Sequence, residues 1–213
     1  MESCRKRLLA DQPLTKLTMD KTTTNATLNA VQQEIVHLRS SHRWIGHVSS
    51  PSSKANWEVY PLRGISAQAE SHEIRQAFEN NSPPNPNLFE DYLIMSECPA
   101  IQLVLNELHC SVLSVRLIKL QAGSTITGHS DSGFNTQADY VQLHYIIENN
   151  DMALTIASER VAIGEGEWWF FNAEKMQGIT NQVNSDQIHL VVDCLVNPWL
   201  VDKINVQPPL DMS

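Results

Sequence analysis

The second half of the chain consists of short β-branched and apolar runs that alternate with turns rich in Gly, Asn and Asp. Such runs have the length and composition of β-strands, and the residues between them favour turns. The predicted strands cover residues 112–120, 142–148, 154–157, 167–172 and 188–195. Many short strands after a helical first half favour a mainly β protein, a jelly roll with flanking N-terminal helices.

The first half has helical periodicity instead. Between Thr24 and Leu38, apolar residues recur at the three- and four-residue spacing of an amphipathic helix, with Thr24 or Asn25 available as its cap. Residues 70–78 and 88–108 also have helical patterns. Residues 1–23 are polar and unpatterned, so we expect a flexible arm there and a single domain over residues 24–213.

Composition excludes several classes of protein. A formal net charge of -9 opposes binding to phosphate backbones, so nucleic acid is not an expected partner. No apolar run reaches the roughly 20 residues that a membrane helix needs, and the first ten residues lack the apolar stretch of a signal peptide. We therefore expect a cytoplasmic protein that makes no membrane contact and takes a small molecule or peptide as its partner.

A histidine and an aspartate lie two residues apart after the first predicted strand. They are His129 and Asp131. On an extended segment such side chains point the same way, so both can reach one cation. Imidazole and carboxylate are two parts of the facial triad that holds non-haem iron(II). The pair therefore predicts part of an iron site, against the alternative of a chance His-x-Asp sequence.

Several short sequences around this pair carry a family resemblance. They are the stretch 115–123, His129-Ser-Asp131, Gln142-Leu-His144, Gly166-Glu-Trp168, Phe171-Asn-Ala173 and Gln187-Ile-His189 through Asp193. In order and spacing they resemble the aspartyl/asparaginyl β-hydroxylase family, especially small bacterial enzymes of the proline cis-4-hydroxylase type. The resemblance implies a double-stranded β-helix of the jelly-roll, cupin-like kind. It also implies a dioxygenase, an oxidoreductase in which His-x-Asp and a distal histidine hold Fe(II) and arginines hold 2-oxoglutarate.

Three positions depart from the family pattern, and all three are glutamines. Gln177 stands where the resemblance implies the distal iron-binding histidine, and Gln142 and Gln187 stand where it implies arginines. An amide oxygen is a poorer donor to iron than imidazole, so we expect weak Fe(II) binding. An amide also lacks the charge and the bidentate geometry with which arginine holds a carboxylate, so we expect an altered 2-oxoglutarate site.

Four further residues are candidates for the same interior. His144 and His189 share strand faces with Gln142 and Gln187, so either is a possible substitute metal ligand, with a buried structural histidine as the alternative. Arg116 is a candidate to bind the carboxylate of a cosubstrate or substrate, and a salt bridge to Asp193 is its alternative. Trp168 is a candidate substrate contact, and core packing is the alternative.

Three functions remain open on the sequence alone. The first is an iron oxygenase, or hydroxylase, that acts on an amino acid or a peptide side chain with an altered third ligand and an altered 2-oxoglutarate site. The second is a catalytically silent relative that binds a small acidic or amino-acid ligand. The third is a metal-dependent enzyme that does not use 2-oxoglutarate.

Overall fold

The computed structural model describes most of the chain, with gaps. The described residues are 14–19, 24–41, 44–48, 56–67, 85–127, 140–149, 153–156, 159–171, 178–180 and 185–205. The strands are β1 (Leu14–Lys16), β2 (Ile45–Val48), β3 (Asn56–Ile65), β4 (Phe89–Asp91), β5 (Val112–Leu120), β6 (Thr125–Thr127), β7 (Tyr140–Glu148), β8 (Ala153–Ile156), β9 (Glu159–Ala162), β10 (Trp168–Phe171), β11 (Gly178–Thr180) and β12 (Gln187–Leu195). The helices are α1 (Asn25–Ser41), α2 (Pro99–Leu105) and α3 (Pro198–Asn205), with 3-10 turns at Pro86–Leu88 and Leu93–Glu97.

The strands form a jelly roll. The large sheet has the order β1-β10-β7-β12-β5-β3-β2, with β4 paired to β3, and its pairs are antiparallel. Opposite it, β6 pairs with β11 and β8 pairs with β9, and β11 lies beside β8. From β5 to β12 the chain therefore passes back and forth between two sheets, which is the connectivity of a double-stranded β-helix. The predicted fold class is confirmed.

The large sheet buries both of its faces. On one face, alternate residues of the central strands pack against the helices, and this main core includes Val115, Leu117, Leu143, Tyr145, Leu190 and Val192 from strands with Ile35, Leu38, Ile101 and Leu200 from helices. On the other face, a smaller cluster contains Leu14, Ile146, Ile163, Trp169 and Phe171. That second face looks into the space between the two sheets. We call it the interior face, and it carries the candidate site.

Helix α1 forms where its sequence predicts. The hydroxyl of Thr24 accepts a hydrogen bond from the backbone N–H of Thr27 at 3.1 Å, so Thr24 caps the first turn. The predicted apolar positions Val31, Ile35 and Leu38 are fully buried. Between these positions, the carboxylate of Glu34 accepts the N–H groups of Ala100 and Ile101 at 2.6 and 3.0 Å, which ties α1 to the first turn of α2.

Two predictions about the first half need correction. Residues 14–19 are not part of a flexible arm, because Leu14–Lys16 pairs with β10 and the side chains of Leu14 and Leu17 are buried. Residues 88–108 are not one helix, since β4 and a 3-10 turn precede α2. The rest of the predicted arm and the predicted helix at 70–78 lie outside the described residues. Of the helices described, none has both the length and the apolar character that a membrane crossing requires.

Candidate functional site

Polar side chains share the interior face of three adjacent strands, β5, β12 and β7. In the observed register, Val191 of β12 lies between Arg116 and His144, and Asp193 lies between Ser114 and Gln142. Because side chains alternate along a strand, Arg116, Gln142 and Asp193 point to one side of the sheet. The site is therefore built from the centre of the large sheet, where strand pairing on both sides fixes each backbone.

Arg116 is paired with an acidic residue of the chain itself. Its Nη1 lies 2.6 Å from Oδ2 of Asp193, and its Nη2 lies 3.5 Å from Oδ1. Ser114 completes the group, since its hydroxyl accepts from Nη1 of Arg116 at 2.9 Å and donates to Asp193 at 2.5 Å. The partner that the sequence analysis gave as the alternative for Arg116 is thus the observed one. In the free protein the guanidinium charge is compensated internally.

Gln142 links this ion pair to His144. Its Nε2 donates to Oδ1 of Asp193 at 3.2 Å, and its Oε1 lies 3.1 Å from Nε2 of His144. A carboxylate only accepts, so the amide orientation is determined, and Oε1 must accept from the Nε2–H of His144. Burial, together with the nearby His189 and Arg116, holds the pKa of His144 well below its usual range. His144 is therefore neutral, and its Nδ1 carries a lone pair.

The hydrogen-bond chain continues to His189. The Nδ1 atoms of His144 and His189 are 3.4 Å apart, and the two rings meet edge to face. Since Nδ1 of His144 accepts, Nδ1 of His189 must donate. Burial lowers the pKa of His189 to about 4, so this imidazole is also neutral. Its Nε2 must then carry a lone pair. The tautomers of both histidines are therefore determined by the hydrogen-bond chain that starts at the carboxylate of Asp193, which can only accept.

The chain ends in polar atoms without partners. Nε2 of His189 has no hydrogen-bond partner, and neither polar atom of the Gln187 side chain has one, although Gln187 is only 1% exposed. Leaving a buried polar atom unpaired costs roughly 1–3 kcal/mol. Most buried polar groups in proteins are satisfied. Gln187 and the free nitrogen of His189 are therefore the described groups of the interior that are best suited to receive a ligand.

The two adjacent tryptophans of β10 have opposite environments. Trp168 is 1% exposed, packs in the main core against Tyr145, and donates its indole N–H to Glu107 at 3.1 Å. It faces the helices, so the expectation that Trp168 contacts a substrate in the interior is corrected. Trp169 lies on the interior face instead. The alternation of side chains along β10 places one tryptophan on each face of the sheet. No local feature of the sequence identified in advance which of the two lies on the interior face.

Sequence reasoning missed two neighbours of the polar chain. Ser114 joins the Arg116–Asp193 pair, and a search two residues before Arg116 on the same strand face would have found it. Phe171 stacks on His144, with ring centroids 4.1 Å apart and planes inclined by 17°. It holds the imidazole in the orientation that Gln142 requires. Only the pairing of β10 with β7 reveals this contact.

The predicted iron ligands His129, Asp131 and Gln177 lie outside the described residues. The neighbouring pairing is described, and in it Thr127 lies directly opposite Gly178. The His-x-Asp segment follows Thr127, and Gln177 immediately precedes Gly178. Within the described ranges, no cluster of three or more His, Cys, Asp or Glu side chains is placed to hold a metal.

The comparison with known families agrees with this architecture. Residues 25–197 match the model of the aspartyl/asparaginyl β-hydroxylases. The chain belongs to the aspartyl/asparaginyl β-hydroxylase family. No curated protein matches the sequence.

A solved structure shows that this aspartyl/asparaginyl β-hydroxylase family member shares its fold with a distant protein. A Trichoplax adhaerens prolyl hydroxylase, in complex with a fragment of the oxygen degradation domain of hypoxia inducible factor, is 9% identical with a TM-score of 0.57. The match covers 91% of this chain and 88% of that chain. A Pseudomonas putida prolyl-4-hydroxylase is 8% identical with a TM-score of 0.45, over 91% and 99% of the two chains.

Positive charge is scarce on the described central strands of this β-hydroxylase family member. The central strands β5, β7, β10 and β12 contain two cationic residues, Arg116 and Lys119. Arg116 is paired with Asp193, whereas Lys119 lies on the helix side and contacts Glu58 at 2.5 Å. The amides of Gln142 and Gln187 and the two imidazoles are neutral. Among the described side chains of these strands, none offers an uncompensated positive charge to a dicarboxylate.

Proposed function

We propose that this chain is a non-haem iron hydroxylase-type oxidoreductase that acts on an amino acid or a peptide side chain without holding 2-oxoglutarate in the family's usual way. Membership of the β-hydroxylase family supports the first part. The observation that carries the second part is the internal pairing of Arg116 with Asp193, beside two glutamines at positions where the family resemblance implies arginines.

The proposed metal ligands are His129, Asp131 and, more weakly, Gln177. Their donor set fits iron(II) in part, because imidazole and carboxylate are suitable ligands and a neutral amide oxygen is a poorer one. The pairing of Thr127 with Gly178 supports this set, since it brings the flanks of both segments together at one place in the barrel. When bound, iron would supply the activation of dioxygen.

The two histidines differ as substitute ligands. Both ring nitrogens of His144 take part in hydrogen bonds, so metal binding there would break the chain between Gln142 and His189. His189 has a free Nε2 and an Nδ1–H that is held by an acceptor, which is how a metal-binding imidazole is usually oriented. If Gln177 is not the third ligand, His189 is therefore the stronger alternative.

The residues of the interior have separate proposed roles. The Asp193–Gln142–His144 chain orients His189, and Phe171 limits rotation of His144. Arg116 fixes the position of Asp193 at the end of that chain, and a substrate carboxylate that displaces Asp193 is its second proposed partner. These groups bind and orient, and the reaction itself depends on the metal segment.

A ligand-binding protein without turnover is the second candidate function. It is favoured by the chain from Arg116 to His189, whose members satisfy one another in the absence of any cosubstrate. Iron binding separates the two functions, because a silent relative has no need to retain the metal.

The test is the iron affinity of the protein loaded anaerobically with iron(II), measured for the natural chain and for Gln177→His. We expect measurable, weak binding by the natural chain and an increase of at least about tenfold for the variant, since imidazole replaces an amide. Gln33→His, at an exposed position of α1, is the matched control. Absence of iron binding in both proteins would favour the silent relative, and equal binding would exclude Gln177 from the metal site.

A further inference from the structure

The buried end of the interior has the hydrogen-bonding capacity of a site for a neutral group. Gln187 and His189 are two residues apart on β12, so their side chains leave the same face about 7 Å apart along the strand. Together they present one amide N–H donor group, one amide oxygen acceptor and one imidazole lone pair, and none of these atoms has a partner.

The combination of donors and acceptors on Gln187 and His189 excludes most ligand groups. A carboxylate offers only acceptors, so it could satisfy the N–H groups of Gln187 but not the amide oxygen or the lone pair of His189. An ammonium offers only donors, and it would be buried without a counter-charge, because Asp193 is already bound to Arg116. A ligand that satisfies all three atoms needs at least two donor hydrogens and one acceptor.

A primary carboxamide has this composition. Its carbonyl oxygen can accept from Nε2 of Gln187, while one of its N–H groups donates to Oε1 of Gln187, which is the reciprocal pairing of two amides. Its second N–H is then available for Nε2 of His189. The hydrogen-bond chain from Asp193 gives His189 the tautomer that this contact needs.

We propose that Gln187 and His189 form a recognition site for the terminal carboxamide of a small ligand, of the size of glutamine or of the carboxamide counterpart of 2-oxoglutarate. This inference rests on the proposed function in one respect, which is that Gln177 rather than His189 completes the metal site. It specifies the class of ligand that replaces a dicarboxylate in the barrel.

The position of Gln187 along the barrel agrees with a carboxamide site that is separate from the proposed metal segment. Gln187 is the first residue of β12 and lies opposite Leu120, the last residue of β5, next to the turn that leads to β6. The His-x-Asp segment and Gln177 join the far ends of β6 and β11, at Thr127 and Gly178. A ligand whose carboxamide is held by Gln187 would therefore extend its other end toward the proposed metal segment.

The test compares two matched pairs of ligands by calorimetry on the full chain without metal. The pairs are 2-oxoglutaramate with 2-oxoglutarate, and glutamine with glutamate, which distinguish a 2-oxo acid from an amino acid as the source of the carboxamide. We expect at least one amide to bind, at least about tenfold more tightly than its acid, because a site with both donors and acceptors discriminates strongly against a group that leaves some unpaired. Equal binding of amide and acid, or no binding of either amide, would overturn the proposal.

Variants test whether the preference for an amide over its acid depends on Gln187 and His189. Gln187→Arg should reverse the preference toward the acid, whereas Gln33→Arg, which adds the same charge on an exposed face of α1, should not. His189→Phe should weaken amide binding at least about tenfold and leave iron affinity unchanged. If His189→Phe abolishes iron binding and preserves amide binding, His189 is a metal ligand and the proposed site is wrong. Iron content is a separate readout, so loss of the proposed function is distinguishable from loss of the carboxamide site.

Discussion

The guanidinium of Arg116 and the carboxylate of Asp193 face each other across the pairing of β5 with β12, with Nη1 and Oδ2 2.6 Å apart. Their side chains are 22% and 15% exposed, so water screens the pair only in part. The pair fixes one end of the hydrogen-bond chain that runs through Gln142 and His144 to His189. It also removes from use the one cation that the four central strands place on the interior face.

Breaking this pair should destabilise the protein substantially. Arg116→Gln leaves the carboxylate of Asp193 partly buried without its counter-charge, and we expect the free energy of unfolding to fall by about 2–3 kcal/mol. Urea denaturation measures this free energy of unfolding. Arg39→Gln, which breaks the more exposed pair with Glu148, should cost less than about 1 kcal/mol. Equal losses in the two variants would contradict the importance given to the Arg116–Asp193 pair.

Stability should fall as the solution is acidified below neutral pH. Burial lowers the pKa of His189 to about 4 in the folded state, whereas an unfolded histidine titrates near its ordinary value of 6.5. Between these two values the unfolded chain binds the proton first, so the stability that is present above pH 6.5 is lost as the pH falls toward 4. The contribution of His189 is up to about 3 kcal/mol.

His189→Phe removes this dependence of stability on the protonation of His189. The difference in unfolding free energy between pH 7 and pH 4.5 should be smaller in His189→Phe than in the natural chain, as measured by denaturation at each pH. Gln33→Phe, at an exposed position of α1 that does not titrate, should leave the difference unchanged. A pH dependence of His189→Phe identical to that of the natural chain would show that His189 is not a buried neutral imidazole.

Gln187 should reduce the stability of the free protein. Replacement by leucine removes two buried atoms that have no partner, and we expect the free energy of unfolding to rise by about 1–2 kcal/mol. The same change at Gln142 should lower it by about 1–3 kcal/mol, because Asp193 and His144 both lose a partner. Thermal denaturation of both variants tests this contrast. Destabilisation by Gln187→Leu would indicate that the amide is satisfied in the free protein.

The two tryptophans should separate stability from binding. Trp168→Phe is expected to cost about 1–2 kcal/mol of stability, because it loses core volume and the hydrogen bond to Glu107, and to leave ligand affinity unchanged. Trp169→Ala opens the interior face and should alter ligand affinity as well. Calorimetry with 2-oxoglutaramate and denaturation on both variants provide the comparison. A change of affinity confined to Trp168→Phe would reverse the assignment of faces.

Local pattern was sufficient for the central strands of the fold. The alternation of residues 112–120 predicted β5 with its observed bounds, and the same period placed His144 with Gln142 and His189 with Gln187 on common strand faces. It was insufficient for β1, because an edge strand of three residues is too short to show alternation and becomes ordered only by pairing with β10.

The hydrogen-bond chain of the site depends on register, which the sequence does not specify locally. The regular register of β12 with β7 from Leu195 to His189 places His189 opposite Ile146, one diagonal away from His144, and the pairing shifts only beyond it, between His189 and Ile188. A slip of one residue in that register would move one imidazole to the other face of the sheet. The ion pair of Arg116 with Asp193 was predicted from the sequence as the alternative to ligand binding by Arg116. The tautomers of His144 and His189 could not be predicted in this way.

The central claim is that the described side chains of β5, β7, β10 and β12 offer no uncompensated cation to a dicarboxylate, and the affinity of the iron-loaded protein for 2-oxoglutarate under anaerobic conditions tests it most directly. The natural chain should show no binding at micromolar concentrations of 2-oxoglutarate. The double variant Gln142→Arg and Gln187→Arg should gain about a hundredfold or more, since each charged hydrogen bond contributes roughly 1.5–3 kcal/mol. Micromolar binding by the natural chain, or no gain in the double variant, would contradict the claim.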